Sequence, residues 1–101
     1  MLPGEVRIRG HTFKVRQVLR RDLPKDAIAC VRSDRNEIMV YRRLPASRKI
    51  ECLLHEVVHA YLSDTGLSDE MEETVSTVLG ESFTQFLRDN HAFLDHARSI
   101  L

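Results

Sequence analysis

Residues 1–44 alternate between polar and apolar positions, which is the pattern of half-buried β-strands. The alternation occurs in four short runs that are separated by turn-forming residues such as Gly10 and Pro24. Because only a short turn separates the first two runs, they predict a hairpin. We therefore expect a small antiparallel sheet of about four strands. These strands are Glu5 to Arg9, Thr12 to Val18, Ala27 to Arg32 and Glu37 to Arg42.

The hydrophobic period changes from two to about 3.6 residues after Pro45, which is the pattern of an amphipathic helix. Apolar side chains recur at helical spacing from Ile50 to Leu62, and Gly66 interrupts the pattern. Ser47 can cap the start of this helix. The sequence therefore predicts a first helix over residues 46–65.

A second helical pattern follows that interruption. Ser68 and Asp69 are both N-cap candidates, and Asp69 with Glu72 makes a plausible capping box. A stripe of apolar residues then predicts a long helix that reaches about Asp89, and residues 91–101 predict a short last helix. The stripe consists of Met71, Val75, Val78, Leu79, Phe83, Phe86 and Leu87.

Strands that precede helices along the chain predict an α+β fold. We expect one domain over residues 1–101, with a strand-rich half at 1–44 and a helical C-terminal half at 69–101. No apolar run approaches the roughly 20 residues that a membrane-spanning helix needs. The N-terminus also lacks the apolar core of a signal peptide, so we expect a cytoplasmic protein with no membrane partner.

The first predicted helix contains a metal-binding motif. Residues 53–60 read Leu-Leu-His-Glu-Val-Val-His-Ala, which includes His-Glu-x-x-His. Residues four apart lie on the same face of a helix, so His55 and His59 can share one zinc ion. Glu56 lies beside the first histidine, where a carboxylate can take a proton from water and later give it to a leaving amine. The simpler alternative is a polar helix face that carries two histidines and no metal.

A catalytic zinc site generally has three protein ligands and an open position. No histidine follows the motif closely, so acids of the next helix are the candidates. Glu72 is predicted on the apolar stripe, where a carboxylate is costly unless it is paired or bound to a metal. Glu73 points about 100° away and is expected in solvent. Glu72 is the preferred third ligand and Glu73 the alternative. Cys52 is expected to be a small buried residue; its alternative role, as a fourth ligand, would close the site.

The motif His55-Glu-Val-Val-His59, followed by a glutamate on the next helix, resembles the gluzincin class of metallopeptidases. The strand-rich segment before it is similar to small phage and prophage zincins related to the ImmA/IrrE group, and to minimal gluzincins. The resemblance covers roughly residues 36–90. It implies one zinc ion per chain and hydrolysis of a peptide or protein substrate. It also implies that the strand Glu37 to Arg42 pairs with an extended substrate through a free edge.

The charge is unevenly distributed, although the net charge is zero. Residues 1–50 carry 13 Lys and Arg against 5 Asp and Glu, whereas residues 51–101 carry 2 against 10. The acidic half contains the predicted metal site, where a negative potential favours a cation. The basic half has no nucleic-acid-binding motif and few aromatic residues, so a solvated basic face is preferred over a nucleic-acid partner.

Three functions therefore compete. The preferred one is a zinc metallopeptidase. The second is a zincin-fold binding or regulatory module with little catalysis, which would act with a protein partner. The third is a nucleic-acid-binding protein that uses the basic N-terminal half. Residues 91–101 could in addition fold back over the metal and make the enzyme latent.

Overall fold

Four strands precede three α-helices in the computed structural model, which describes residues 2–101. The predicted α+β fold is therefore confirmed, and each predicted strand and helix is present with its ends shifted by a few residues. The strands are β1 (Glu5–Ile8), β2 (His11–Val18), β3 (Ala29–Arg32) and β4 (Glu37–Tyr41). The helices are α1 (Ala46–Leu62), α2 (Asp69–Asp89) and α3 (His91–Ile100).

The four strands form one sheet in the order β1-β2-β4-β3. The β1–β2 and β3–β4 pairs are antiparallel, but β2 and β4 are parallel. The prediction of an antiparallel sheet is wrong at that central pair. After β2, the chain skips the adjacent position in the sheet and forms β3 at the edge. The turn at Asn36, with φ at 49°, then brings β4 into the position between β2 and β3. Alternation predicts which residues face the core but not the order of the strands.

The strand order places β4 inside the sheet. Its residues pair with β2 on one side and with β3 on the other. The expectation that Glu37 to Arg42 offers a free edge to substrate is therefore wrong, because its backbone groups already bond to neighbouring strands. The free edges belong to β1 and β3.

The main core lies between α1 and one face of the sheet. Ile38 and Val40 of β4 are fully buried there, and Phe13 of β2 and Leu53 of α1 pack in the same cluster. Burying one such side chain stabilises the fold by about 1.5–3 kcal/mol. This packing fixes the sheet-facing side of α1 and leaves an adjoining side for the histidines.

Helix α2 packs against α1 through small side chains. Ser76, Gly80 and Thr84, spaced four residues apart, are its buried residues. A Cβ atom built on Gly80 would lie 3.2 Å from the Cα of His55, so the glycine permits a close approach of α2 to α1. The apolar stripe that was predicted to face inward is instead partly in solvent, with Phe83 47% and Phe86 43% exposed.

The caps of the helices differ in detail from the prediction. The hydroxyl of Ser68 accepts a hydrogen bond from the backbone N–H of Met71 at 3.2 Å, so Ser68 rather than Asp69 is the N-cap of α2. Helix α1 begins at Ala46 after Pro45, without a side-chain cap from Ser47. Within residues 2–101, no helix combines the length and the apolar character needed to cross a membrane.

Candidate metal centre

The two histidines of the motif lie one turn apart on the side of α1 that faces α2. Their Nε2 atoms are 3.1 Å apart, and both side chains are largely buried, with 22% of His55 and 17% of His59 exposed. The helical spacing therefore aims two imidazole nitrogens at one point, as the motif predicts.

Glu73 of α2 completes the cluster. Its Oε1 lies 2.9 Å from Nε2 of His55, and its Oε2 lies 3.0 Å from Nε2 of His59. One ligand atom from each of the three residues lies within 4.8 Å of the other two. The alternative third ligand, rather than the preferred one, thus shares this point with the histidines.

Glu72 lies on the other side of the His59 ring. Its Oε1 accepts a hydrogen bond from Nδ1 of His59 at 2.8 Å, and only 18% of the Glu72 side chain is exposed. Glu72 turns inward, as predicted. Its carboxylate contacts Nδ1 of His59, however, whereas a ligand of the same ion would have to lie on the Nε2 side, which faces His55. Carboxylates in this position orient metal-binding histidines and make them more basic.

The face of α2 that packs against α1 explains why Glu73, and not Glu72, lies beside both histidines. Glu73 precedes Gly80 by seven residues, which is about two turns, so both lie on the face that packs against α1. The apolar stripe instead predicts an inward face with Glu72 at its centre. The available signal was the i, i+4, i+8 spacing of the small residues Ser76, Gly80 and Thr84.

The geometry of the cluster allows it to hold a metal ion. With Nδ1–H of His59 donating to Glu72, its Nε2 presents a lone pair to the Glu73 carboxylate. Lone pairs that converge in this way are stabilised by a shared proton or by a bound cation. Tetrahedral zinc, with bonds of about 2.0–2.1 Å, keeps its ligand atoms roughly 3.3 Å apart. The observed separations of 2.9–3.1 Å come close to that value.

Glu56 lies beside this cluster without joining it. The residue is 8% exposed and lines the cleft that contains the histidines, and no hydrogen bond from residues 2–101 reaches its carboxylate. Burial raises the pKa of Glu56 to about 7, against the opposing influence of His59. A carboxyl group whose pKa lies near neutrality is suited to both accept and return a proton.

The two histidines respond differently to their surroundings. Burial lowers the pKa of His55, and the Glu73 carboxylate only partly offsets this. Burial also disfavours the charged form of His59, but its hydrogen bond to Glu72 and the nearby Glu56 and Glu73 outweigh that effect and raise the pKa. The negative charge of the site is therefore concentrated around His59.

A cleft of about 670 Å³ opens beside the cluster. Edge strand β3 forms one wall with Ala29, Cys30 and Val31, and helices α1 and α2 form the other. Cys52 lines this cleft as a 6% exposed residue, but it is not part of the potential metal-binding group among residues 2–101. The preferred role of Cys52 as a small buried residue is therefore confirmed, and it does not join the cluster as a fourth ligand.

The C-terminal helix lies away from the cleft. No residue of α3 lines it, and Phe93 of α3 instead contacts Phe86 edge to face at 5.5 Å. The alternative in which residues 91–101 fold back over the metal is therefore not found. Tyr41 and Tyr61 are also absent from the lining.

Comparison with known proteins adds no further identification. No protein-family model matches the chain, and neither a curated protein nor a solved structure is significantly similar to it.

Proposed function

We propose that this chain is a zinc-dependent peptidase that binds one zinc ion through His55, His59 and Glu73. The observation that carries the proposal is the convergence of two Nε2 atoms and one carboxylate within 4.8 Å. Two imidazoles and a carboxylate form the ligand set of several catalytic zinc sites, which keep one position for water or substrate. The cleft beside the cluster gives substrate access to that position.

Each acidic residue has a separate role in this proposal. Zinc, when bound, lowers the pKa of a water molecule and stabilises negative charge on the substrate oxygen. Glu56 accepts the proton of the attacking water and returns it to the leaving amine. Glu72 holds the Nδ1–H of His59, which keeps Nε2 directed at the metal.

The substrate strand is proposed to be β3 instead of β4. The backbone N–H of Tyr41 donates to the carbonyl of Ile28 at 2.8 Å, which sets the alternation of hydrogen bonds along the β3–β4 pair. In an antiparallel pair, every second residue points its backbone groups away from the partner. Ala29 and Val31 therefore direct their N–H and C=O groups outward, beside the cleft. An extended peptide can pair with them and lie across the metal centre.

The test is a comparison of wild type with Glu56→Gln at equal zinc content, using a diverse peptide library. Glu56 is not a proposed ligand, so the variant should retain about one zinc per chain. It should lose roughly 10²- to 10⁴-fold in cleavage rate, which is the usual contribution of general acid–base assistance. Equal cleavage by both proteins would indicate a contaminant, and a wild type that binds no zinc would exclude the proposal.

A binding or regulatory module is the second candidate, and the exposed aromatic side chains of α2 and α3 favour it. Phe83, Phe86 and Phe93 are 43–54% exposed. Apolar patches of this kind are typical of protein–protein contacts. Zinc-loaded wild type that cleaves nothing in the library would support this candidate over the peptidase.

A further inference from the structure

The cleft carries three charged side chains beyond the metal centre and the catalytic carboxylate: Arg48, Glu51 and Glu81. The guanidinium of Arg48 forms an ion pair with the carboxylate of Glu51, one turn along α1. Glu81 has no hydrogen bond or ion pair to any other side chain in residues 2–101. The charge of Glu81 is thus the one in this group left uncompensated.

Glu81 lies along the path that a substrate would follow. It comes directly after Gly80, where an added Cβ atom would lie 3.2 Å from His55, and it lines the cleft as an exposed residue. It follows Glu73 by eight residues, which is about 12 Å along the helix axis. An extended peptide covers about 3.3 Å per residue. A long side chain two or three residues from the scissile bond would therefore reach Glu81 from the metal centre.

The acidic residues that α2 contributes to the cleft differ in whether another side chain compensates their charge. All of the ionisable residues that α2 contributes to the cleft are acidic, namely Glu72, Glu73 and Glu81. The carboxylate of Glu73 contacts His55 and that of Glu72 contacts His59, whereas Glu81 forms no ion pair with residues 2–101. The uncompensated carboxylate of Glu81 therefore favours a cationic ligand group at this part of the cleft.

We propose that Glu81 is a specificity-determining residue that selects peptides with a lysine or arginine two or three residues from the scissile bond. This inference rests on the proposed peptidase function, because it takes the metal centre as the point of cleavage. The carboxylate pairs with the cationic side chain, while the main chain of the peptide lies against β3. Because Glu81 is exposed, the expected preference is modest, about two- to fivefold at low salt, and weaker at high salt.

The test measures binding separately from cleavage. Zinc-loaded Glu56→Gln protein is titrated with fluorescent peptides that differ only in carrying lysine, glutamine or glutamate at the positions two and three residues from the scissile bond. The lysine peptide should bind about two- to fivefold more tightly than the glutamine peptide. Adding Glu81→Gln should remove this preference, and adding Glu81→Lys should reverse it in favour of glutamate.

Glu70→Gln serves as the matched control, because Glu70 is an exposed acid of the same helix that does not line the cleft. This control should keep the lysine preference, and all variants should keep the zinc content and melting temperature of their parent. A preference that survives Glu81→Gln, the absence of any preference, or a failure to bind all three peptides would overturn the inference. Selective binding without cleavage by the wild type would instead overturn only the peptidase function.

Discussion

The carboxylate of Glu72 lies 2.8 Å from Nδ1 of His59, while Glu73, the next residue, lies 3.0 Å from Nε2 of the same ring. Two consecutive glutamates thus hold opposite sides of one imidazole. Only the Nε2 side is shared with His55. Glu72 can therefore orient His59, whereas Glu73 is placed to bind the same metal ion as the two histidines.

The first prediction follows from that separation. Glu73→Ala removes a proposed ligand and should weaken zinc binding more than any change at Glu72. Glu72→Ala should weaken it by roughly 10- to 100-fold, the usual effect of losing a carboxylate that orients a ligand. Glu72→Gln should recover most of that loss, because its amide oxygen can still accept the Nδ1–H bond. Zinc affinity is measured by competition with a chromogenic chelator, and a greater loss for Glu72→Ala than for Glu73→Ala would reverse the assignment.

The contrast between these glutamates also shows how far the sequence can predict the site. His55, Glu56 and His59 are close in sequence on one helix, so helical geometry alone places them correctly. Glu73 depends on which face of α2 packs against α1. That face consists of Ser76, Gly80 and Thr84, which do not form an apolar stripe. Hydrophobic periodicity therefore predicts the helix but gives the wrong inward face.

The sheet illustrates the same distinction between local and long-range information. The alternation of Phe13, Lys14 and Val15 predicts β2 and its buried side, and the structure agrees. The parallel pairing of β2 with β4 depends on the path of the connecting segment, which leaves no periodic pattern. Local periodicity consequently predicts the strand Glu37 to Arg42, but it cannot show that this strand lies inside the sheet and has no free edge.

The second prediction concerns metal removal. A ligand that binds only the folded state stabilises it by about 4 kcal/mol at a free concentration 1,000 times the dissociation constant. For a chain of this size, that corresponds to roughly 15–30 °C in melting temperature. We expect EDTA to lower the Tm of wild type by this order. His59→Ala should melt at the same temperature with and without EDTA, and an EDTA-insensitive wild type would contradict a folded-state zinc site.

The third prediction concerns the contact between α1 and α2. The added methyl group of Gly80→Ala would lie 3.2 Å from backbone atoms of His55, so the helices must separate slightly. Overpacking of this kind costs about 1–3 kcal/mol, and the better helix propensity of alanine offsets about 1 kcal/mol. We expect a small net loss in the free energy of unfolding, measured by urea denaturation of the zinc-free protein.

The same substitution should weaken zinc binding, because it moves Glu73 away from the histidines. Ser82→Ala, at an exposed position of α2, is the control and should change neither quantity by more than about 0.5 kcal/mol. If Gly80→Ala instead stabilised the protein and left zinc affinity unchanged, helix propensity would dominate and the close approach at His55 would have no role.

The last prediction tests whether β3 pairs with substrate. The backbone N–H of Val31 points away from β4, so Val31→Pro removes an outward donor and leaves the ladder with β4 intact. Losing one main-chain hydrogen bond should weaken peptide binding by about 0.5–1.5 kcal/mol, or roughly 2- to 12-fold. Binding is measured on zinc-loaded Glu56→Gln protein, so that the peptide is not consumed.

Glu5→Pro is the matched control at the opposite edge of the sheet. The N–H of Val15 donates to the carbonyl of Gly4 at 3.0 Å, which places the N–H of Glu5 on the outer side of β1. This control also removes one outward donor, but far from the cleft, and should leave peptide affinity unchanged. A peptide in which a methylene replaces the carbonyl that would accept from Val31 should lose affinity for wild type and little more for Val31→Pro, because both changes remove the same hydrogen bond. Equal affinity of the two proline variants for the unmodified peptide would show that the substrate does not extend the sheet at β3.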